Sequence, residues 1–473
     1  MIKENREKNL AKNTIIITIG KVCTQLITFF LLPLYTGILS TEEYGIVDLL
    51  NTLVSLLLPI VTFQVEQAVF RELIEVRGKK DKESRIISSA VITVIFQCIV
   101  YLIIFALISP FINNNYKFFL ATNVVANIFL SLLLQIARGF GNNKKYAFAS
   151  FISALSTIVF NVLFLVVIKL GANGMLLGTM LGQIVATIYL FVSLKLYKYL
   201  KIKDYKKEVI KSLWKYSLPL IPNAISWWVF NASDRVIASA FLGVDQNGIL
   251  AASLKFSAVF ITFYNIFNMS WTESISIAIK DADVSDYFNK MFNIVLRLFT
   301  AMAVGIIACM PFVFPIMINE KFSAGYGLIP ISIIGSLFNV VVGLISVIYV
   351  AEKNTKAIAS TSIVSAVINI IVHLVLIEFI GLYAAVISTF VAFFVMSIYR
   401  LVDVSKRYIK VKIDVKFIIQ SLIALIFVFV SYYINNIYLN VFVLLFAVLF
   451  AIYINKDSFD IIFKLLTKKL KRS

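Results

Sequence analysis

The sequence predicts an all-α integral membrane protein of about fourteen transmembrane helices, arranged as two pseudo-symmetric six-helix bundles followed by two further helices. Three observations predict it. Of the 473 residues 60% are hydrophobic, and the mean hydropathy is +0.92, whereas a soluble domain is roughly 45–50% apolar. Apolar runs long enough to cross a bilayer recur from residue 13 to residue 455. The basic residues are sorted between alternate loops.

In order, the apolar runs place spans at 13–38, 44–70, 86–110, 117–137, 146–168, 174–194, 216–241, 247–277, 288–316, 326–351, 357–378, 382–399, 417–434 and 439–455. No polar segment between them is long enough for a soluble domain. With the N-terminus inside, 37 of the 44 Lys and Arg fall on inner segments or the span ends that adjoin them, while the outer side holds only Lys117, Lys169 and Lys321. That asymmetry predicts two cytoplasmic ends. It also accounts for the net charge of +19 without nucleic acid. The first apolar stretch is too long for a signal-peptide core and no small-residue cleavage site follows it, so the first helix is expected to stay. Cys23, Cys98 and Cys309 all fall inside spans and read as small core residues, with no disulfide framework.

A weak internal repeat divides the chain. LSTEEYGI (39–46) aligns with LGVDQNGI (242–249) at an offset of 203, and NNKKYAFAS (142–150) with EKNTKAIAS (352–360) at an offset of 210. Each motif falls at the same place in a six-span unit. The predicted organisation is a first bundle at 1–196, a basic linker at 197–212, a second bundle at 213–403, and two extra helices with a basic tail at 404–473. An even number of spans per unit gives both bundles one orientation, related by an axis along the membrane normal with a cleft between them.

Polar residues form stripes on several spans. In the first, Thr14, Thr18, Lys21, Gln25 and Thr28 step by 4, 3, 4 and 3, which is one helical face. In the second, Asp48, Thr52, Ser55, Pro59, Thr62 and Glu66 keep that rhythm. In the seventh, Asn223, Trp227, Asn231 and Asp234 share a face with Arg235 beside it. In the eighth, Lys255, Thr262 and Asn265 partly keep the second span's face. In the ninth, Asn289, Asn293, Arg297 and Thr300 line up. Such stripes cannot face lipid. The stripes of spans 1, 2, 7 and 8 are expected to meet each other or water, lining a cleft between the halves.

Two readings of the stripes stand side by side. The Thr, Ser and Asn members suit interhelical hydrogen bonding, worth about 0.6–2 kcal/mol per bond. Lys21, Arg235, Lys255 and Arg297 are costlier packing elements, since a charge at mid-membrane depth costs about 2.5–3.5 kcal/mol or more. Their acidic company within the spans is Asp48, Glu66, Asp234, Glu273 and Glu378. Cations in a wet cleft suit an anionic, multiply hydrogen-bonded ligand such as a phosphate, with Lys as a point charge and Arg as a fork. Trp227 and Trp228 near Arg235 suit sugar rings or plain packing. No P-loop, GxSxG, HExxH or paired extramembrane carboxylates are present, so no enzymatic motif competes.

KYSLPLIPNAISWWVFNASDRVIASAFLGVDQNGILAASLKFS (215–257), ILSTEEYGIVDLL (38–50) and ARGFGNNKKYAFAS (137–150) resemble, in order along the chain, segments of the polysaccharide-export flippases. The best match is to the Wzx type within the multidrug/oligosaccharidyl-lipid/polysaccharide (MOP) exporter superfamily. The resemblance implies a MATE-like fold in the bacterial cytoplasmic membrane. It implies an undecaprenyl-pyrophosphate-linked oligosaccharide repeat unit as substrate, moved from inner to outer leaflet by alternating access. It further implies no cofactor, coupling to an ion gradient or the membrane potential, and work alongside a polysaccharide polymerase and glycosyltransferases. The Asp–Arg motif carries over to Asp234 and Arg235, and Lys21 sits where related flippases often place a cavity cation. Lys255 and Arg297 match no motif and rest on the stripes alone. On this reading Lys21, Gln25, Asn223, Asn231, Arg235, Lys255 and Arg297 bind substrate, while Asp48, Glu66 and Asp234 couple ions or pair with the cations.

Two alternatives remain: a multidrug exporter of organic cations, which calls for an acid-rich cavity, and a membrane polymerase or ligase of the same pathway, which calls for a long outer loop. Every outer loop predicted here is about ten residues or shorter.

Overall fold

The computed structural model describes residues 28–112, 114–434 and 436–456, with the side chains of Phe230 and Asn231 left aside. Among the described residues the regular structure is entirely helical. The chain divides into two compact units, at 1–239 and 240–473.

In the first unit, α1 (Leu32–Ile38), α2 (Thr41–Thr62), α3 (Val65–Val76), α4 (Lys80–Ile108), α5 (Lys117–Gly139), α6 (Asn143–Val162), α7 (Gly171–Ser193) and α8 (Lys207–Ser217) precede α9 (Ile221–Leu242), which crosses the boundary near its end. The second unit holds α10 (Val244–Ala278), α11 (Val284–Met317), α12 (Ile329–Ala351), α13 (Thr355–Ile380), α14 (Tyr383–Arg407), α15 (Val415–Ile434) and α16 (Ile437–Ile454).

Twelve of these helices, some with an adjoining 3-10 or π turn, are long and apolar enough to cross a membrane, which makes this a multi-pass membrane protein. They match twelve of the predicted spans. The first predicted span lies mostly outside the described residues. The seventh is helical as α9, but Asn223, Asn231, Asp234 and Arg235 leave it too polar to count by composition. Packing contacts set the unit boundary between Ser239 and Ala240, beyond the linker at 197–212. The reason lies in α9, whose side chains bind those of α2.

Local sequence explains the element ends. Ser40 and Glu43 form a capping box at the start of α2. The Glu43 amide donates to Ser40 Oγ at 3.1 Å, and the Ser40 amide donates to Glu43 Oε2 at 3.0 Å. Glu43 Oε1 also accepts from the Ala172 amide at 3.2 Å, tying the start of α7 to that of α2. Gly243 turns the chain from α9 into α10 at φ +104°, a conformation that favours glycine. On α7, Gly174, Gly178 and Gly182 recur every fourth residue. A Cβ at Gly178 or Gly182 would strike Asn161 or Thr157 of α6, so this small-residue stripe lets the two helices pack closely.

The second predicted span, 44–70, is not one helix. It breaks at Phe63 (φ 52°) and Gln64 (φ 57°), two consecutive non-glycine residues in the left-handed region. Each costs about 1–2 kcal/mol. The break is held from several sides. Gln97 Nε2 donates to the Thr62 carbonyl at 3.2 Å, the Gln64 amide donates to Thr62 Oγ1 at 3.1 Å, and Phe63 meets Trp214 edge to face at 6.2 Å.

Each unit also binds the linker that follows its sixth predicted span. In the first, Ser84 and Ser88 of α4 donate to the Tyr199 carbonyl at 2.8 and 2.7 Å, and the Lys201 amide donates back to Ser88 Oγ at 3.0 Å. In the second, Asn289 Nδ2 of α11 donates to the Lys410 carbonyl at 3.0 Å, and the Lys412 amide donates to Asn289 Oδ1 at 2.6 Å. Asn293 Nδ2 repeats the contact with the Lys412 carbonyl at 2.9 Å. Ser84 aligns with Asn289 and Ser88 with Asn293 at a single offset of 205, close to those of the sequence repeat. The internal repeat therefore extends to the latches.

Candidate functional site

The stripe of α2 and the charged stretch of α9 meet inside the first unit. Arg235 Nε lies 3.5 Å from Asp48 Oδ2, and Arg235 NH1 donates to Thr52 Oγ1 at 3.3 Å. Two turns earlier on α9, Trp228 Nε1 donates to the Thr52 carbonyl at 2.9 Å and to Ser55 Oγ at 3.1 Å. The spacing Asp48, Thr52, Ser55 puts three acceptors on one face of α2. Trp228 and Arg235, seven residues apart on α9, meet that face at two heights. Pro59, inside α2, has no N–H to donate to the Ser55 carbonyl a turn earlier.

The pair is half-closed. The Asp48 side chain is 11% exposed and that of Arg235 is 29% exposed. At 3.5 Å the charges attract, yet neither Asp48 Oδ2 nor Arg235 Nε makes a hydrogen bond. A guanidinium carries five N–H donors in a planar fork. This one is oriented by α2 through Thr52, and its Nε–H has no acceptor. Next to it, Asp234 is half-buried on α9, while Asn223 and Trp227 are exposed nearer the start of that helix. Glu66 is 3% exposed in the first turn of α3, beyond the Phe63–Gln64 break, with Oε2 accepting no hydrogen bond. The break thus takes Glu66 off the continuous stripe read from the sequence.

Lys21 and Gln25 lie outside the described residues, as does the side chain of Asn231. In the second unit, Lys255 is half-buried on α10. Arg297 ends the asparagine stripe of α11. Its NH2 donates to Asp414 Oδ2 at 2.8 Å, and the guanidinium lies 5.6 Å from the Phe417 ring centre. Asp414 also accepts from the Phe417 amide at 3.3 Å, a contact that, with Arg297, holds its carboxyl below the usual carboxylate range. Asn289 and Asn293 thus form a ladder on the backbone of 410–414, and Arg297 ends the stripe on the Asp414 carboxylate.

The twelfth predicted span ends at 399, whereas α14 runs on to Arg407 and buries Arg400 to 3% exposure. Its guanidinium donates to Ser346 Oγ of α12 at 2.5 Å. On α13 it donates to Thr361 Oγ1 at 2.7 Å, to Ser362 Oγ at 3.0 Å and to the Ile358 carbonyl at 3.2 Å. Three helices are joined through one cation. Among the described residues no cluster of three His, Cys, Asp or Glu side chains is placed to hold a metal ion.

This bundle of membrane-crossing helices has counterparts among solved membrane transporters. The chain is similar to the lipid II flippase MurJ in its inward closed conformation, with TM-score 0.71, 16% identity, and coverage of 96% of this chain and 100% of that one. It is similar to an inward-facing multidrug resistance MATE family transporter of the MOP superfamily, with TM-score 0.67, 13% identity, and coverage of 82% and 95%. A third likeness is to a MOP superfamily transporter from Pyrococcus furiosus, with TM-score 0.56, 13% identity, and coverage of 84% and 96%. At these identities the likeness is one of fold, and it bears out the MATE/MOP-like architecture read from the sequence. No curated protein matches the chain by sequence. The model of the polysaccharide biosynthesis protein family matches residues 10–271, more than half of the chain, and the chain belongs to that family.

Proposed function

We propose that the protein is a flippase that moves undecaprenyl-pyrophosphate-linked oligosaccharide units from the inner to the outer leaflet of a bacterial cytoplasmic membrane. The observation that carries this reading is the loosely engaged Arg235, fixed to α2 through Thr52 yet without a hydrogen bond at Nε. A pyrophosphate presents several oxygens and bonds a guanidinium bidentately, which the 3.5 Å contact to Asp48 does not match. Substrate binding draws Arg235 from Asp48. The freed carboxylate then takes up a cation, which links anion binding to an ion gradient without any cofactor. Trp228 and the exposed Trp227 offer apolar faces to sugar rings. Lys21 and Lys255 add point charges, Asn223 and Gln25 add amide contacts, and Asp234 and Glu66 complete the acidic set. Arg297 has a structural role, since Asp414 and Phe417 hold it.

In this reading both termini are cytoplasmic, and the protein hands its product to a polymerase after receiving it from glycosyltransferases. The test is transport in proteoliposomes, using a fluorescent undecaprenyl-pyrophosphate oligosaccharide with wild type and Arg235→Ala. Flipping by the wild type and its loss in a folded mutant support the reading. Flipping retained in the mutant returns Arg235 to packing. No flipping by either, with organic-cation export in a parallel assay, moves the protein to the multidrug branch.

A further inference from the structure

Between Ser193, the end of α7, and Ile221, the start of α9, the chain lies outside the spans yet is folded. The serine latch of α4 pins Tyr199 and Lys201, and the Lys206 amide donates to Ser89 Oγ at 3.0 Å. α8 closes the segment. Ile210 and Leu213 are buried, Ser212 Oγ donates to Glu72 Oε1 at 2.6 Å, and Tyr216 lies 4.6 Å from the Arg71 guanidinium. The latch residues sit where α4 passes from its charged first turn into its apolar run. That level is the boundary between water and hydrocarbon.

The latch also fixes a charge pattern. All eight lysines between residues 195 and 215 are exposed. Of the two acids in the same stretch, Asp204 is turned inward to accept from Ser84 Oγ at 2.5 Å, and Glu208 is exposed. Among the lysines stand three exposed apolar or aromatic side chains, of which Tyr205, at 36%, is the least exposed. Ile202, in the 3-10 turn Ile202–Asp204, is 87% exposed, and Tyr197 is 54% exposed. An isoleucine flanked by Lys201 and Lys203 is poorly placed in water. It is well placed at a headgroup–acyl boundary, where the ammonium groups reach phosphates and the side chain reaches hydrocarbon.

We propose that residues 195–215 form a docking surface for anionic phospholipid headgroups, with Ile202 and Tyr197 seated among the upper acyl carbons. Charge complementarity selects this occupant, because lysines near an anionic leaflet are drawn to it and the inward Asp204 removes an opposing charge from the face.

The test places an environment-sensitive nitrobenzoxadiazole label at Ile202→Cys in the full-length protein, with Cys23, Cys98 and Cys309 changed to Ser. The protein is held in nanodiscs of phosphatidylcholine alone, or with roughly one lipid in three replaced by phosphatidylglycerol. The expected result is a blue-shifted emission in the anionic nanodiscs and a several-fold drop in quenching by aqueous iodide. High salt, or Lys195, Lys198, Lys201 and Lys203 all changed to Gln, should abolish both effects. Circular dichroism of the four-lysine variant verifies its fold. Emission that is the same in both lipids overturns the proposal, as does a shift that survives the lysine changes. A matching shift produced by inorganic pyrophosphate in phosphatidylcholine nanodiscs assigns the surface to soluble phosphates and overturns it equally.

Discussion

Arg235 of α9 and Asp48 of α2, 187 residues apart in the chain, face each other at 3.5 Å with Thr52 as their common neighbour. The sequence pairs Arg235 with its neighbour Asp234, and the fold brings it a second carboxylate from another helix. Asp48→Asn leaves a part-buried guanidinium without this countercharge. A fully buried pair broken this way costs about 3–5 kcal/mol, and with Arg235 partly exposed the expected loss is about 1–3 kcal/mol. Thermal unfolding in detergent measures it. In the transport assay Asp48→Asn should still bind substrate but lose its dependence on the ion gradient, whereas Arg235→Ala should lose flipping itself.

The asparagine ladder of α11 gives a separate expectation. Asn289 and Asn293 each exchange hydrogen bonds with the backbone of 410–414. Each single change to Ala should destabilise the protein by about 1–3 kcal/mol, taking about 1 kcal/mol per bond. Limited proteolysis should show faster cleavage in 408–414, with flipping by the surviving folded fraction unchanged.

Acid should act on the end of that ladder. The folded-state pKa of Asp414 is depressed, first by the Phe417 amide and then by Arg297, so its stabilising contribution is present above the unfolded value and lost as pH falls through the folded one. The stability difference between wild type and Asp414→Asn should be constant above about pH 5 and close as pH falls below about 4. A difference independent of pH would show that the carboxylate charge is not involved.

At the α2–α3 break, Gln64 adopts φ 57°. Gln64→Gly relieves left-handed strain while adding unfolded-state entropy, so its net effect should lie within about 1 kcal/mol of zero. Gln64→Val places a β-branched residue in that conformation and should cost about 2 kcal/mol or more. Chemical denaturation of the two variants separates backbone geometry from loss of the glutamine side chain.

Much of this was legible because hydropathy and helical period are local signals. Twelve spans and the facing stripes of α2 and α9 follow from residues within one helix. The α2–α3 break was not legible, because neither Phe63 nor Gln64 is a residue that marks a turn, and Pro59, a turn earlier, is accommodated within α2. Arg400 escaped notice for a different reason. Its acceptors, Ser346, Thr361 and Ser362, lie on two other helices, and nothing near Arg400 in sequence announces them. The ninth span's stripe is one helical face, but its partner is an irregular stretch of backbone more than a hundred residues later, which has no periodic signature.

That separation has a consequence for synthesis. Asn289 and Asn293 leave the ribosome about 120 residues before the backbone they bind, and Ser84 and Ser88 wait for Tyr199 over intervals of 115 and 111 residues. During each interval the newborn helix has to satisfy those polar groups with interfacial water. Neither α4 nor α11 can settle to its final depth until the sixth helix of its half has been threaded. Each half therefore completes its insertion late and as a whole.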